Sequence, residues 1–293
     1  MRSLARAIAT VVYAAILAVV IALFGQGIWS ALIVANLRTT PAVPWAIAVM
    51  APIIWVMWRY LGGKWAPRTN SDARRRLLRA NAVSLQEFAW ALLAGALSIV
   101  ALSGYWIVMS QIVRLPANVL PDMSKYPWLT TTLLIAMGSI LGPLLEQAGF
   151  WGYCQVMLER EFGALAIVVT AVLFALLPHP PAHAVLWPKL VFYFLTGATF
   201  GVMAYLVNSI LPGIVVHIVG DLTFFTMVWP HDTSRRLIGE GGADASFWIH
   251  GAQAIVFTAL AIAAFGRLAR IARGTRASGA NRIVAGSVYQ PAK

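Results

Sequence analysis

Long apolar segments are the feature that most limits what this chain can fold into. The first runs from Ala7 to Ala35 and is broken only by Gln26, Ser30 and a few small residues. About 20 apolar residues cross a bilayer as a helix, because a helix satisfies its own backbone hydrogen bonds where water is absent. The sequence therefore predicts an all-α fold, a polytopic bundle of transmembrane helices.

Eight segments are candidates for membrane spans. Their approximate bounds are 8–34, 43–61, 86–111, 128–157, 163–182, 189–207, 210–230 and 247–268. If the N-terminus lies inside, most of the 22 Lys and Arg residues fall on the inner side, as the positive-inside rule requires. We therefore expect the N-terminus and the C-terminus to lie inside. The first segment is too long for the apolar region of a signal peptide, so we expect a retained anchor.

The composition supports a membrane protein over a soluble one. Charged residues make up 11% of the chain, whereas a soluble domain carries about a quarter. The net charge of +12 is better explained by basic loops beside a membrane than by a nucleic-acid partner. The single cysteine, Cys154, excludes an internal disulfide and a cysteine-based metal site. We expect a multi-pass protein of a bacterial plasma membrane, surrounded by lipid and without nucleic acid.

We divide the chain into three regions. Residues 1–125 hold the N-terminal membrane helices and a basic inside loop, and residues 126–232 hold the core helices. Residues 233–293 hold the last membrane helix and a basic tail rich in glycine and serine. Two GxxxG patterns, Gly138–Gly142 and Gly197–Gly201, predict that the fourth and sixth spans contact neighbouring helices backbone to backbone.

Four ionisable residues lie well inside the predicted spans: Glu146, His179, His217 and Asp221. Each would cost several kcal/mol, roughly, if it were held unpaired in hydrocarbon. We therefore expect these side chains to face one another, a cavity or water. His217 and Asp221 are four residues apart, so both lie on one face of a helix.

Each of the four residues also has a purely structural interpretation. Glu146 could pair with a buried donor, His179 could lie in an exposed loop among prolines, and His217 with Asp221 could join two helices. Intramembrane carboxylates are rare, which favours function. A glutamate can take a proton from water while imidazoles orient that water or bind a metal. Glu146, His179 and His217 would suit Zn²⁺, and the residues alone leave metal use open.

Three short patterns recur in order on separate predicted helices. They are Glu146-Gln-Ala-Gly-Phe-Trp151, Ala175-Leu-Leu-Pro-His179 and His217-Ile-Val-Gly-Asp221, the last preceded by Leu211-Pro-Gly. Their order and spacing resemble the CPBP family, the CAAX protease and bacteriocin-processing proteins, also called the abortive-infection family. That family is marked by the motifs EExxxR, FxxxH and HxxxN or HxxxD. The resemblance covers about residues 126–232.

The resemblance implies an intramembrane protease and a role for each of the four residues. Glu146 would activate water with His179 as its partner, and His217 with Asp221 would stabilise the oxyanion or position the site. Metal dependence is argued either way for the family. Three positions depart from its motifs: Gln147 replaces the second Glu, Trp151 replaces the Arg, and Ala175 stands in the Phe position, with Phe174 one place earlier.

Three functions remain open from the sequence. The first is an intramembrane endopeptidase of the CPBP type that cleaves a membrane-associated protein or peptide. The second is a non-catalytic relative that binds peptides as an immunity or scaffold protein, which the changes at Gln147 and Trp151 favour. The third is a proton relay or transporter, because intramembrane Glu, His and Asp also form proton paths. The chain shows no internal repeat that would indicate a transporter.

Overall fold

The protein is described by a computed structural model covering residues 4–114, 125–177 and 187–287. Ten α-helices follow one another in this part of the chain, and it contains no β-strand. They are α1 (Leu4–Thr39), α2 (Trp45–Leu61), α3 (Ser71–Leu78), α4 (Leu85–Ile112), α5 (Trp128–Glu146), α6 (Gln155–Phe162), α7 (Ala166–Leu176), α8 (Trp187–Val207), α9 (Leu211–Thr223) and α10 (Ala245–Ser287). The predicted all-α fold is confirmed.

Two π-helices interrupt the α-helical pattern. Gln147–Cys154 joins α5 to α6, and Phe224–Val228 follows α9. Short 3₁₀ turns occupy Gly163–Leu165, Trp229–Ser234 and Ile238–Glu240. Because π-helices are rare and frequently occur at functional sites, the ends of α5 and α9 are candidates for a functional site.

Several helices are suited to a bilayer. Within the described residues, five stretches are long and apolar enough to cross a membrane, and Trp45–Leu61 is a shorter apolar helix. The five are Leu4–Thr39, Leu85–Ile112, Trp187–Val207, Leu211–Asp232 and Ala245–Arg276. A bundle of membrane helices is therefore supported, while the number of eight spans and the orientation of the termini stay predictions.

Glycine contacts draw α1 against the π-helix that follows α5. A Cβ atom on Gly149 would lie 2.7 Å from the backbone oxygen of Ala18, so only glycine permits this approach. Gly152 makes a similar approach to Leu78 at the end of α3, where a Cβ would lie 2.9 Å from the backbone oxygen. The fourth predicted span does meet its neighbours backbone to backbone, through these two glycines.

The GxxxG pattern predicted a different contact in this span. A Cβ on Gly138 would come within 3.3 Å of the Trp29 side chain, and one on Gly142 would meet only side-chain atoms, the nearest at 3.8 Å. These two glycines line a cavity and make no backbone contact. In the sixth predicted span the pattern is confirmed, because a Cβ on Gly197 would lie 3.0 Å from the Cα atom of Ala171.

Helix α4 lies between α9 and α10. Its start is fixed by a capping box, in which Ser84 accepts from the Glu87 amide and Glu87 accepts from the Ser84 amide. Along α4, Gly95 lies against Val216 of α9, and a Cβ on Gly104 would lie 2.7 Å from the backbone oxygen of His250 in α10. These small residues bring three helices together around the middle of the bundle.

A buried ion pair fixes the start of α9. Arg79 ends α3 in a left-handed conformation, and its guanidinium pairs with both carboxylate oxygens of Glu159 in α6. Its backbone oxygen accepts a hydrogen bond of 3.1 Å from Ile210, the residue before α9. The basic segment between α2 and α4 therefore does more than carry charge, because it joins α3, α6 and α9.

Candidate active site

Glu146 is the last residue of α5, at the point where the α-helix passes into the π-helix. Its side chain is buried among helices α1, α5 and α9. A carboxylate in such surroundings needs polar partners, because burial without them costs several kcal/mol, roughly. The structure supplies one partner to each of its oxygens.

Gln26 of α1 is the first partner. Its side-chain nitrogen donates a hydrogen bond of 2.7 Å to Oε1 of Glu146, across 120 positions of sequence. Gln26 interrupts the first apolar segment of the sequence, but no role was predicted for it. A polar residue in the middle of an apolar span was the only signal that could have identified it.

His217 is the second partner, and α9 presents it together with Asp221. Nε2 of His217 lies 3.7 Å from Oε2 of Glu146 and 3.6 Å from Oδ1 of Asp221. The helix begins with Leu211 and carries Pro212 in its first turn, where proline needs no hydrogen-bond donor. Three of the four predicted site residues therefore lie together, with two carboxylates around one imidazole nitrogen.

The fourth predicted site residue, His179, lies outside the described residues. Its neighbours Pro178 and His183 lie there too. The arrangement of the site described here therefore consists of Glu146, His217, Asp221 and Gln26.

Aromatic rings form the wall behind His217. Phe200 stacks on the imidazole with ring centroids 4.6 Å apart, and Trp151 meets it edge-on at 6.1 Å. Trp151 is fully buried, and its Nε1 donates a hydrogen bond of 2.9 Å to the backbone oxygen of Gly197. The residue in the arginine position of the family motif thus joins the π-helix to α8 and limits how the imidazole can turn.

Gln147, which replaces the second glutamate, is fully buried. Neither its amide oxygen nor its amide nitrogen has a hydrogen-bond partner in the described structure. The side chain packs on Gly213 at the start of α9, where a Cβ would lie 2.7 Å from Oε1 of Gln147. A neutral amide fits this closed position more easily than a second carboxylate, because a buried charge without a partner is far more costly.

A cavity of about 300 Å³ opens in front of His217, and we name it the His217 cavity. Glu146, His217 and Asp221 contribute its polar wall, with Tyr193 and Thr196 of α8. The rest of the lining is apolar and mostly aromatic: Ile99, Leu102, Phe174, Phe192, Phe200, Phe224, Phe225 and Trp229, with Gly220. An apolar cavity with a few converging polar groups is the form that ligand sites usually take. The sequence did not identify Tyr193 or Thr196.

The predicted zinc site has two of its three ligands in the described structure, Glu146 and His217. Across residues 4–114, 125–177 and 187–287, no group of three His, Cys, Asp or Glu side chains is placed to hold a metal ion. The third predicted ligand, His179, lies outside these ranges. Zn²⁺ therefore stays a prediction.

A family model matches part of the chain. Residues 127–223 match the model described as type II CAAX prenyl endopeptidase Rce1-like. The matched segment starts one residue before α5 and ends with α9, so it holds Glu146, His217 and Asp221 and leaves out α1 with Gln26. No curated protein and no solved structure matches the chain.

Proposed function

We propose that this chain is an intramembrane endopeptidase of the CPBP type that cleaves a membrane-associated protein or peptide, because residues 127–223 match the type II CAAX prenyl endopeptidase Rce1-like model. The observation that carries the proposal is the meeting of Glu146, His217 and Asp221 in the wall of one cavity. Holding three ionisable groups together in an apolar bundle is costly, and a reaction that uses them explains that cost.

Glu146 acts as the general base in this proposal. A water between Oε2 of Glu146 and Nε2 of His217, which are 3.7 Å apart, can hydrogen bond to both atoms. Glu146 takes a proton from this water as the oxygen attacks the peptide carbonyl carbon, whose double bond opens to an oxyanion. Glu146 then gives the proton to the departing amine as the carbon–nitrogen bond breaks. The products are a carboxylic acid and an amine, and Glu146 regains its starting state.

His217 and Asp221 stabilise the charge that forms. The N–H at Nε2 of His217 can donate a hydrogen bond to the oxyanion, and Asp221, whose Oδ1 lies 3.6 Å from Nε2, favours the protonated imidazole. Phe200 and Trp151 hold the ring from two sides, so it need not reorient during the reaction. His179 keeps the role that the family resemblance implies, as the partner of Glu146.

The test compares protein termini in cells that produce the wild type or Glu146→Gln at equal, verified levels. Glu146→Gln keeps the shape and the hydrogen bond from Gln26 but removes the base. Glu161→Gln is the matched control. Glu161 lies near the end of α6, pairs with Arg6 of α1 and does not line the cavity. New termini in wild-type and Glu161→Gln membranes, missing with Glu146→Gln, would support the proposal.

The second candidate is a non-catalytic relative that binds a membrane peptide in the same cavity. Two observations favour it: Trp151 fills the arginine position of the motif, and Gln147 stands buried without a hydrogen-bond partner in the described structure. The same comparison decides between the two candidates. Identical termini from folded wild type and Glu146→Gln would leave peptide binding as the function.

A further inference from the structure

A second cavity also borders Glu146, and we name it the α1–α5 cavity. Its volume is about 410 Å³. Glu146, Asp221 and Phe225 line both this cavity and the His217 cavity, so these three residues form the wall between the two. Glu146 thus borders two cavities.

The lining residues show that the α1–α5 cavity extends along helices α1 and α5. On α1 it extends from Gln26 to Val34, and on α5 it extends from Glu146 back to Leu134. With a rise of 1.5 Å per residue, this is a length of about 12 Å along α1 and about 18 Å along α5. The cavity therefore leads from the site toward the Thr39 end of α1 and the Trp128 end of α5.

The polar groups of this cavity are suited to water. Gln26, Glu146 and Asp221 lie at its inner end, and Ser30 is exposed further along. A buried water needs two to four polar partners and about 30 Å³ of space, and both are available here. Where Gly142 lines the wall, a Cβ would lie 3.8 Å from Asp221 and 4.0 Å from Gln26, so the missing side chain leaves the inner end open.

We propose that the α1–α5 cavity is a water-filled vestibule that supplies the hydrolytic water to Glu146, while the peptide occupies the His217 cavity. Of these two cavities, the imidazole that faces the oxyanion lines the His217 cavity alone, and Gln26 lines the α1–α5 cavity alone. The supply of water rests on the proposed hydrolysis, whereas the presence of water in the cavity does not.

A cysteine accessibility experiment tests the vestibule without requiring any cleavage. The chain has a single, buried cysteine, Cys154, so the wild type gives a low background. Ser30→Cys places a thiol in the cavity, and Ala31→Cys places one at nearly the same depth on an exposed part of α1 outside the lining. The probe is 2-(trimethylammonium)ethyl methanethiosulfonate, a cationic thiol reagent, applied to the protein in phosphatidylcholine vesicles.

We expect Ser30→Cys to react at least about tenfold faster than Ala31→Cys, because the reactive thiolate forms in water and not in hydrocarbon. Equal, slow rates would overturn the vestibule, whether or not the protein is a protease. Gly27→Cys, also exposed and outside the lining, provides a second control for α1.

The supply of water is tested on the same modified proteins. The attached group should lower the cleavage rate several-fold in Ser30→Cys and leave it unchanged in Ala31→Cys. Fast modification of Ser30→Cys with undiminished cleavage would overturn the supply role. If the wild type cleaves nothing, the proposed function fails, and the reaction rates of the two thiols still decide whether the cavity holds water.

Discussion

Glu146 has different partners on its two oxygens. Oε1 accepts from Gln26 at 2.7 Å, and Oε2 faces His217 at 3.7 Å. The first contact holds Oε1 against the side-chain amide of Gln26 and so restricts how the carboxylate can turn. The second leaves a separation that a water can bridge. We infer that Gln26 is a positioning residue for the base.

Replacing Gln26 by leucine should lower kcat by about 10- to 100-fold and leave KM nearly unchanged, because a hydrogen bond to a charged group contributes about 1.5–3 kcal/mol. Gln111→Leu is the matched control, since Gln111 is a buried glutamine that donates to Ser246 at 3.2 Å, and neither residue lines the His217 cavity. Steady-state kinetics in proteoliposomes make the measurement. An equal loss in both variants, or a rise in KM alone, would contradict the positioning role.

The residues of the site differ in how far the sequence could predict them. His217 and Asp221 were predictable because four positions along a helix place both on one face, and Glu146 because a carboxylate in hydrocarbon is costly. Gln26 was not, because 120 positions separate it from Glu146 and only tertiary packing brings them together. The anchoring of Trp151 on Gly197 likewise depends on how α8 crosses the π-helix.

The position of α9 depends on a contact at the C-terminal end of α3. Arg79 is buried and pairs with Glu159, while its backbone oxygen holds the residue before α9. Removing one partner of a buried ion pair leaves the other charge uncompensated. The stability of the helix that carries His217 therefore depends on a residue of the basic loop.

Arg79→Ala should lower the free energy of unfolding by about 3 kcal/mol or more, because breaking a buried ion pair costs about 3–5 kcal/mol. Arg75→Ala is the control: its pair with Asp72 at 3.0 Å is exposed, and exposed pairs contribute about 0–1 kcal/mol. Thermal unfolding in detergent would compare the two variants. Equal midpoints for both would show that the buried pair does not hold α9.

Two glycines of the fourth predicted span allow the observed helix contact to be tested against the contact that the GxxxG pattern predicted. Gly149→Ala should lower the free energy of unfolding by about 1–3 kcal/mol, because the new methyl group meets the Ala18 backbone 2.7 Å away. Gly142→Ala should leave it nearly unchanged, since its methyl group would enter the α1–α5 cavity. Both variants would be measured by thermal unfolding in the same detergent. The reverse order of stabilities would favour the contact that GxxxG predicted.

At the scale of the whole molecule, composition and the length of the apolar segments were enough to predict a helical bundle. The number of spans stays a prediction. The predicted span 128–157 is helical from Trp128 to Phe162, yet it passes through the π-helix and is not among the stretches apolar enough to cross a membrane. Hydropathy records how apolar a segment is and does not predict the π-helix within it, where Gly149 and Gly152 contact α1 and α3.

The central claim is that Glu146 activates water for peptide hydrolysis within the bundle, and heavy-oxygen labelling tests it most directly. Isolated membranes holding wild type, Glu146→Gln or Glu161→Gln would be incubated in heavy-oxygen water and then processed in ordinary water. We predict new carboxyl termini carrying one heavy oxygen atom with the wild type and Glu161→Gln, and none with Glu146→Gln. The same labelled termini in all three membranes, or none in any, with every protein folded and abundant, would contradict the account.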